Sequence, residues 1–129
     1  MSTFDLGHWQ RLFRAAPFIA DLGAELVAVQ DGRTETRLAL APRHLQHTGV
    51  VHAGAITTLA DHSAGIAAQT LIGAAGWAIT AEFKLSLLRG ARGRTLRCVG
   101  QVLKPGRSLH FTEADVWSVA DDGTETLVA

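Results

Sequence analysis

Residues 46–72 read QHTGVVHAGAITTLADHSAGIAAQTLI, and this stretch decides the fold. Its first seven residues are a polar segment that contains histidine and glycine and leads into the helix. From Ala53 onward there is no proline, and apolar residues lie on nearly every side of the helix that this sequence would form. The pattern predicts a buried helix of about 18 residues. Threonine, histidine, serine and glutamine side chains make the helix too polar to span a membrane.

Asp61 is the only carboxylate in this predicted helix. A charged group among apolar residues is costly unless it is hydrogen-bonded, paired or placed at a cavity. One interpretation is catalytic: a general base that activates water, or a nucleophile that attacks an acyl carbon. The other is structural: a buried carboxylate bound to Thr57, Thr58 or the backbone of another chain. The residues alone leave both interpretations open.

The same stretch carries a family motif, G-x-x-H-[GA]-G-x-x-x-x-L-x-D, whose residues here are Gly49, His52, Ala53, Gly54, Leu59 and Asp61. It resembles the hotdog-fold thioesterases of the phenylacetic-acid-degradation (PaaI) type. The segment TAEFKLSLLRGARG at 80–93 resembles the third strand of that family and the turn after it. The resemblance covers roughly residues 20–129. It implies an α+β hotdog fold, in which a curved antiparallel sheet wraps around a long central helix.

The resemblance also assigns roles to individual residues. Asp61 falls on the catalytic acidic position of the family. The backbone N–H of Ala53, where the family usually has glycine, would polarise the thioester carbonyl in an oxyanion hole at the helix start. Gln46 stands where the family often has an asparagine that helps to place the carbonyl or the water. Thr80 lies near a hydroxyl position that holds the attacking water, and His52 is expected to order the loop and shape the site.

Small and basic residues complete the predicted site. Gly49 and Gly54 allow a ligand to approach the backbone closely. Arg89 and Arg92 lie in a turn where they could bind the phosphates of coenzyme A, although a solvated turn residue is the better interpretation of any single arginine there. The chain has several histidines near the motif but no His-Glu-x-x-His pattern, so no metal site is expected; these histidines are His44, His47, His52 and His62. The predicted reaction needs no cofactor.

The flanking segments predict the remaining elements. Apolar spacing over residues 5–16 predicts a short amphipathic helix that Pro17 ends. Residues 24–30 and 33–40 predict a hairpin, and its Asp31-Gly32 turn favours type I′. Further strands are predicted over residues 77–88, 94–103, 108–119 and 124–128. A single sheet of this size must curl around the central helix to bury one face.

Composition excludes several classes of function. The 129 residues fit one domain, predicted as a single hotdog thioesterase domain over residues 1–129. A formal net charge of zero argues against nucleic-acid binding. The single cysteine, Cys98, excludes an internal disulfide and a cysteine-based zinc site. Together with the lack of a charged-then-apolar leader, it predicts a cytoplasmic protein that does not bind membranes.

The predicted function is hydrolysis of an acyl-CoA thioester to a free acid and CoA. The resemblance implies a homodimer or homotetramer whose active sites are shared between subunits. Small residues on the central helix would permit close approach of two helices, namely Ala60, Ala64, Gly65, Ala67 and Ala68.

Two other functions are compatible with the same fold. One is a non-hydrolytic protein that binds acyl-CoA or a lipid-like ligand, against which the Asp61 carboxylate argues. The other is a hotdog hydratase or dehydratase, whose proline-rich segment near the histidine is missing here. The sequence leaves the acyl group open between aryl and medium-chain groups.

Overall fold

The computed structural model of the protein describes residues 5–129. Its elements in chain order are α1 (Leu6–Arg14), α2 (Pro17–Leu22), β1 (Ala24–Gln30), β2 (Arg33–Ala39), α3 (Ala53–Ile72), β3 (Thr95–Lys104), β4 (Phe111–Val119) and β5 (Glu125–Leu127). The strands pair antiparallel in the order β1-β2-β3-β4-β5. The sheet wraps around α3, so the predicted α+β hotdog fold is confirmed.

Helix α3 packs against the middle of the sheet. The backbones of helix and sheet come very close there. A Cβ atom at Gly100 of β3 would lie 2.7 Å from the carbonyl carbon of Ser63. Two threonines of β2 bind the same helical residue: Thr34 Oγ1 donates to the Ser63 carbonyl at 2.8 Å, and Thr36 Oγ1 lies 2.7 Å from Ser63 Oγ. These contacts hold the apolar face of α3 on the sheet. That face includes Ala55, Ile56, Leu59, Ile66 and Ala67.

The N-terminal helices cover one edge of this core. Asp5 caps α1 by accepting a hydrogen bond from the His8 N–H at 3.2 Å, and Phe13 of α1 is completely buried. The predicted helix ends before Pro17, as expected. Pro17 then begins α2, which the sequence reading did not predict, because proline suits the first helical position as well as it ends a preceding helix. Ile19 of α2 is buried.

The β1–β2 turn differs from the predicted type I′ turn. That turn needs positive φ at both central residues, but in residues 5–129 only glycines have positive φ, so Asp31 does not. Gly32 has φ of 69°. Its N–H donates to Thr70 Oγ1 at 2.8 Å, and its carbonyl accepts from the Val102 N–H at 2.8 Å. Contacts with α3 and β3 thus determine the turn conformation.

The prediction of a strand over residues 77–88 is wrong for the single chain. The segment is extended, but within the described residues its backbone joins the sheet only where the Leu88 N–H donates to the Val128 carbonyl, at 2.8 Å. Its large apolar side chains are exposed, and Ile79 retains 87% of its accessible surface. Apolar and β-branched residues favour extended backbone, but a strand also needs a partner, and one chain does not supply it here.

Two further predictions need correction. Strand β4 begins at Phe111 rather than at residue 108, because residues 105–109 form a tight connection in which a Cβ at Gly106 would lie 2.3 Å from the Leu109 carbonyl oxygen. Ala67 and Ala68 are buried inside the chain, so of the small residues predicted for a subunit contact it is Ala60, Ala64 and Gly65 that stay partly exposed. None of the helices described is long and apolar enough to cross a membrane.

Candidate active site

Asp61 lies on the partly exposed side of α3 and is paired with Thr80. The Thr80 hydroxyl donates to Asp61 Oδ1 at 2.7 Å. Thr57 and Thr58 do not hold this carboxylate, since their hydroxyls donate to backbone carbonyls of their own helix. Within residues 5–129, Asp61 Oδ2 accepts no hydrogen bond. The carboxylate is therefore fixed by one hydroxyl and keeps one oxygen for a ligand or a water.

The Asp61–Thr80 pair lies in a cavity of about 350 Å³, which we call the Asp61 cleft. Helix α1, helix α3 and the start of the extended segment form its walls, with the lining residues Leu12, Ala15, Ala16, Asp61, His62, Gly65, Ile66, Gln69, Trp77, Ala78 and Thr80. Most of these side chains are apolar or absent. An apolar cavity with a few convergent polar groups is the usual form of a small-molecule site.

His62 joins α1 to α3 at the side of the Asp61 cleft. Its Nε2–H donates to the Phe13 carbonyl at 2.9 Å, and its ring packs edge-on against the Phe13 ring with centroids 4.6 Å apart. Burial lowers the pKa of His62, and the hydrogen bond to Phe13 and the charge of Asp61 oppose this shift. His62 is therefore a neutral imidazole at neutral pH.

Gln69 positions the segment that carries Thr80. Its Nε2 donates to the carbonyls of Gly73 and Gly76 at 3.1 and 2.8 Å, and its Oε1 accepts from the Ala78 N–H at 2.8 Å. All three bonds go to the backbone that leads from α3 into the extended segment. One buried carboxamide thus fixes the path of the chain two residues before Thr80.

At the start of helix α3, one backbone donor has no hydrogen-bond partner within residues 5–129. His52 is the N-cap, and its Nδ1 accepts from the Gly54 N–H at 2.8 Å. A Cβ at Gly54 would lie 3.0 Å from that nitrogen, so glycine leaves room for the ring. The N–H of Ala53 donates to none of the described residues. Ala53 is the first helical residue and has no positive φ, so its methyl group is compatible with this backbone.

The free N–H lies beside a second cavity of about 580 Å³, the helix-start cleft. Its lining residues are Gln46, His47, Val50, Val51, His52, Ala53, Ile56, Leu87, Leu88, Arg89, Gly90 and Ala91. Gln46 Oε1 accepts from the Thr48 N–H, and Arg89 Nη1 donates to the Leu127 carbonyl at 3.1 Å. Gly49, with φ of 90°, lies beside Arg92, whose Nη1 would be 3.8 Å from a Cβ at the glycine.

The structure divides the predicted site residues into two groups. Asp61 and Thr80 meet in the Asp61 cleft, whereas Gln46, His52 and Ala53 meet in the helix-start cleft. Asp61 follows Ala53 by eight residues, which corresponds to about 12 Å along the axis of α3. The carboxylate and the free N–H of one chain therefore cannot act on the same carbonyl group.

Comparison with known proteins identifies the family. The model of the thioesterase superfamily matches residues 48–124, which is more than half of the chain. The chain belongs to the thioesterase superfamily. The sequence-based prediction of a hotdog thioesterase is thus confirmed, and the family indicates thioester hydrolysis. No curated protein matches the chain.

Solved structures agree with this assignment. A thioesterase family protein from Silicibacter pomeroyi is 31% identical to this thioesterase, with a TM-score of 0.89 and coverage of 95% of this chain and 90% of that chain. A conserved protein from Pseudomonas aeruginosa is 30% identical, with a TM-score of 0.81 and coverage of 92% and 90%. A phenylacetic acid degradation-related protein from Ralstonia eutropha is 21% identical, with a TM-score of 0.77 and coverage of 93% and 92%, a likeness that shows the fold alone.

Among the lining residues of this thioesterase's Asp61 cleft that sequence reasoning did not assign to the site are His62, Gly65 and Gln69. The helical repeat could have found two of them, since residues four and eight positions after Asp61 return to its face. Nothing in the sequence indicated that His62 would bind the Phe13 carbonyl. Among residues 5–129, no three His, Cys, Asp or Glu side chains lie close enough together to hold a metal ion. Burial raises the pKa of Cys98 to about 11, so its thiol stays protonated.

Proposed function

We propose that this thioesterase hydrolyses acyl-CoA thioesters to a free acid and CoA, with Asp61 as the general base. The observation that carries this proposal is the hydrogen bond from Thr80 to Asp61 Oδ1 in an apolar cleft. Because Thr80 donates its proton to Asp61, its oxygen can accept a hydrogen bond from a water, and that water can also donate to the free Oδ2. A water held between these two oxygens is oriented and activated at once.

The reaction then proceeds through a tetrahedral intermediate. The water oxygen attacks the thioester carbonyl carbon while Asp61 takes its proton, and the carbonyl oxygen becomes an oxyanion. The N–H of Ala53 from a second chain stabilises that oxyanion, assisted by the dipole at the start of α3 in that chain. The C–S bond breaks, and the departing CoA thiolate takes the proton from Asp61. The carboxylate is thereby restored without a cofactor.

The helix-start cleft suits the CoA part of the substrate. Arg89 lines it and Arg92 lies next to it, beside Gly49. Two guanidinium groups near the proposed oxyanion donor can bind phosphates in a bidentate manner. Gln46 lies in the same cleft, where its carboxamide could contact the substrate carbonyl.

The separation of the two clefts supports a site built by two subunits. A homodimer would bring Asp61 and Thr80 of one chain to the helix-start cleft of its partner, which one chain cannot do by itself. Two exposed surfaces are available for this contact: the apolar side chains of the extended segment over residues 77–88, and Ala60 and Ala64 of α3. Two such dimers would form the predicted homotetramer. The single domain over residues 1–129 and the cytoplasmic location stay predictions from the sequence.

The test of this function is thiol release from a panel of acyl-CoA esters by the parent and by Asp61→Asn. Loss of a general base lowers the rate by about 10²- to 10⁴-fold. Asp21→Asn is the matched control, since it makes the same chemical change at an exposed position of α2 and should retain full activity. A folded Asp61→Asn protein with the parent rate would contradict the role of Asp61. A parent that binds the esters but releases no thiol would be a binding protein instead.

Single-turnover hydrolysis in ¹⁸O-labelled water distinguishes a base from a nucleophile. If Asp61 activates water, the label enters the product acid in the first turnover. If Asp61 attacked the carbon and water then opened the mixed anhydride at the Asp61 carboxyl carbon, the first product would carry an unlabelled carboxylate oxygen from the enzyme, and the label would be found in Asp61. We expect labelled product and unlabelled Asp61.

A further inference from the structure

The Asp61 cleft contains a helical glycine that no packing contact explains. Gly65 lines the cleft and follows Asp61 by four residues, so the two lie on the same face of α3. Among residues 5–129, no atom lies within 4 Å of a Cβ built at Gly65. By contrast, Gly100 is required because a Cβ there would meet the backbone of Ser63 at 2.7 Å. Glycine destabilises a helix interior by about 1 kcal/mol relative to alanine. At Gly65, no neighbouring atom of the described residues excludes the methyl group of an alanine.

Most of the polar groups near Gly65 already bind protein atoms. Both Nε2 hydrogens and Oε1 of Gln69 bind the backbone, and His62 Nε2 binds the Phe13 carbonyl. Leu12 of α1 and the connection to α2, Ala15 and Ala16, also line the cleft with apolar side chains. The cleft around Gly65 is therefore lined mainly by carbon, with the Asp61 carboxylate among its few polar groups. Such a space favours an apolar group that is attached to the reacting carbonyl.

The size of the cleft indicates how large that group can be. A dry cavity of about 150 Å³ is enough to bind benzene, and the Asp61 cleft has about 350 Å³. We propose that Gly65 keeps this cleft open for an apolar acyl group of ring size or larger, and so determines which acyl-CoA esters the enzyme accepts. This inference rests on the proposed function, because it places the acyl group next to the carboxylate that activates water.

The test compares kcat/KM for acetyl-CoA, hexanoyl-CoA, benzoyl-CoA and phenylacetyl-CoA in the parent, in Gly65→Ala and in Gly65→Leu. Both new residues are good helix formers, so neither should unfold α3. The parent should prefer the three large esters. Gly65→Leu should lower kcat/KM for the two ring esters by about tenfold or more and leave acetyl-CoA within about threefold. Gly65→Ala should shift the ratio of ring ester to acetyl ester in the same direction by less.

Different results would overturn the two proposals separately. If the parent releases no thiol from any ester, the proposed function fails. If the parent is active but Gly65→Leu changes all four esters by the same factor, or changes none, the cleft does not hold the acyl group. Sedimentation of each variant checks the assembly. A Leu variant that dissociates, together with an Ala variant that keeps the parent's substrate ratio, would place Gly65 in a subunit contact and overturn the inference.

The binding of substrate can also be followed without turnover. Trp77 lines the same cleft, so its fluorescence should change when benzoyl-CoA binds to the inactive Asp61→Asn protein. Trp77→Phe in the Asp61→Asn protein identifies the part of the signal that comes from this residue. The Trp77 signal should be lost, or its midpoint should rise by about tenfold, when Gly65→Leu is added to Asp61→Asn. An unchanged midpoint would show that the acyl group binds elsewhere.

Discussion

Ala53 offers the sharpest test at the scale of single residues, because its backbone rather than its side chain is proposed to act. Proline has no N–H, yet it is tolerated in the first turn of a helix. Ala53→Pro should therefore fold and lose about 10²- to 10³-fold in kcat, the usual effect of one missing oxyanion donor. Ala53→Gly keeps the N–H and should stay within a small factor of the parent. Equal activity of the two variants in thiol release would assign the oxyanion to another donor, such as Gln46.

His62 should make the stability of the fold depend on pH. Its pKa in the folded protein lies below the ordinary value of 6.5, mainly because the ring is buried. Between these two values the unfolded chain binds more protons than the folded chain, so the free energy of unfolding falls as the pH decreases. The contribution of His62 is fully present above about pH 6.5 and is lost as the pH falls to the lowered pKa.

The matched variant for this effect is His62→Gln, which keeps an N–H for the Phe13 carbonyl but does not titrate. Urea unfolding at several pH values measures both proteins. The difference in unfolding free energy between parent and variant should be constant above about pH 6.5 and should turn against the parent below it. A difference that does not change with pH would mean that the folded protein does not shift the pKa of His62.

Some residue roles could be predicted from the sequence, and others depend on contacts across the fold. Asp61 stood out as a lone carboxylate in an apolar helix. Its partner Thr80 lies 19 positions away, and only the family resemblance brought it to the site, as a hydroxyl that holds the attacking water. His52 caps α3 through a contact with a residue only two positions away, so this role could in principle be predicted from the sequence. The link from His62 to Phe13 spans 49 positions and left no local signal.

At the scale of elements, the close contact of α3 with β3 should be the most sensitive part of the fold. A methyl group at Gly100 would overlap the Ser63 backbone, which cannot move without displacing the helix. Gly100→Ala should therefore destabilise the protein by about 1–3 kcal/mol, measured by urea unfolding. Gly76→Ala is the control, since Gly76 has extended backbone and open space around its Cβ position. Equal stability of both variants would mean that helix and sheet can separate at no cost.

The elements were predictable where local pattern and final pairing agree. The central helix was predicted from Ala53 and was found over Ala53–Ile72, and the hairpin strands fall within a residue or two of their predicted bounds. The segment over residues 77–88 has the right composition for a strand, but along most of its length it has no partner among residues 5–129. Composition sets the backbone conformation, whereas pairing depends on which chains are present. The prediction failed on pairing and not on conformation.

At the scale of the whole molecule, the decisive feature is that the two clefts lie at different places along one helix. The sequence predicted a list of site residues but not their division, because the motif runs continuously from Gly49 to Asp61. The helical rise places Asp61 about 12 Å from Ala53. A catalytic site that needs both groups is therefore incomplete in one chain, and the activity should belong to a dimer. Sedimentation velocity at micromolar concentration should show a dimer or a larger assembly in every active preparation.

Mixed dimers test the shared site directly. Two differently tagged chains, one with Asp61→Asn and one with Ala53→Pro, should each form an inactive homodimer. In the purified mixed dimer, one site combines the intact Ala53 of the first chain with the intact Asp61 of the second. That dimer should show about half of the parent's activity, because one of its two symmetry-related sites is complete. If each chain held a whole site, the mixed dimer would be as inactive as its parents.

The reciprocal mixture reverses these expectations and so serves as the control. One chain carries both Asp61→Asn and Ala53→Pro, and the other is the parent. With shared sites, each site of this mixed dimer receives one defective half, so thiol release should fall to the background of the single variants. With a whole site in each chain, the parent chain would keep its own site and the dimer about half of the activity. The two mixtures contain the same four residues in different combinations, so a general effect of the substitutions on folding cannot produce opposite results.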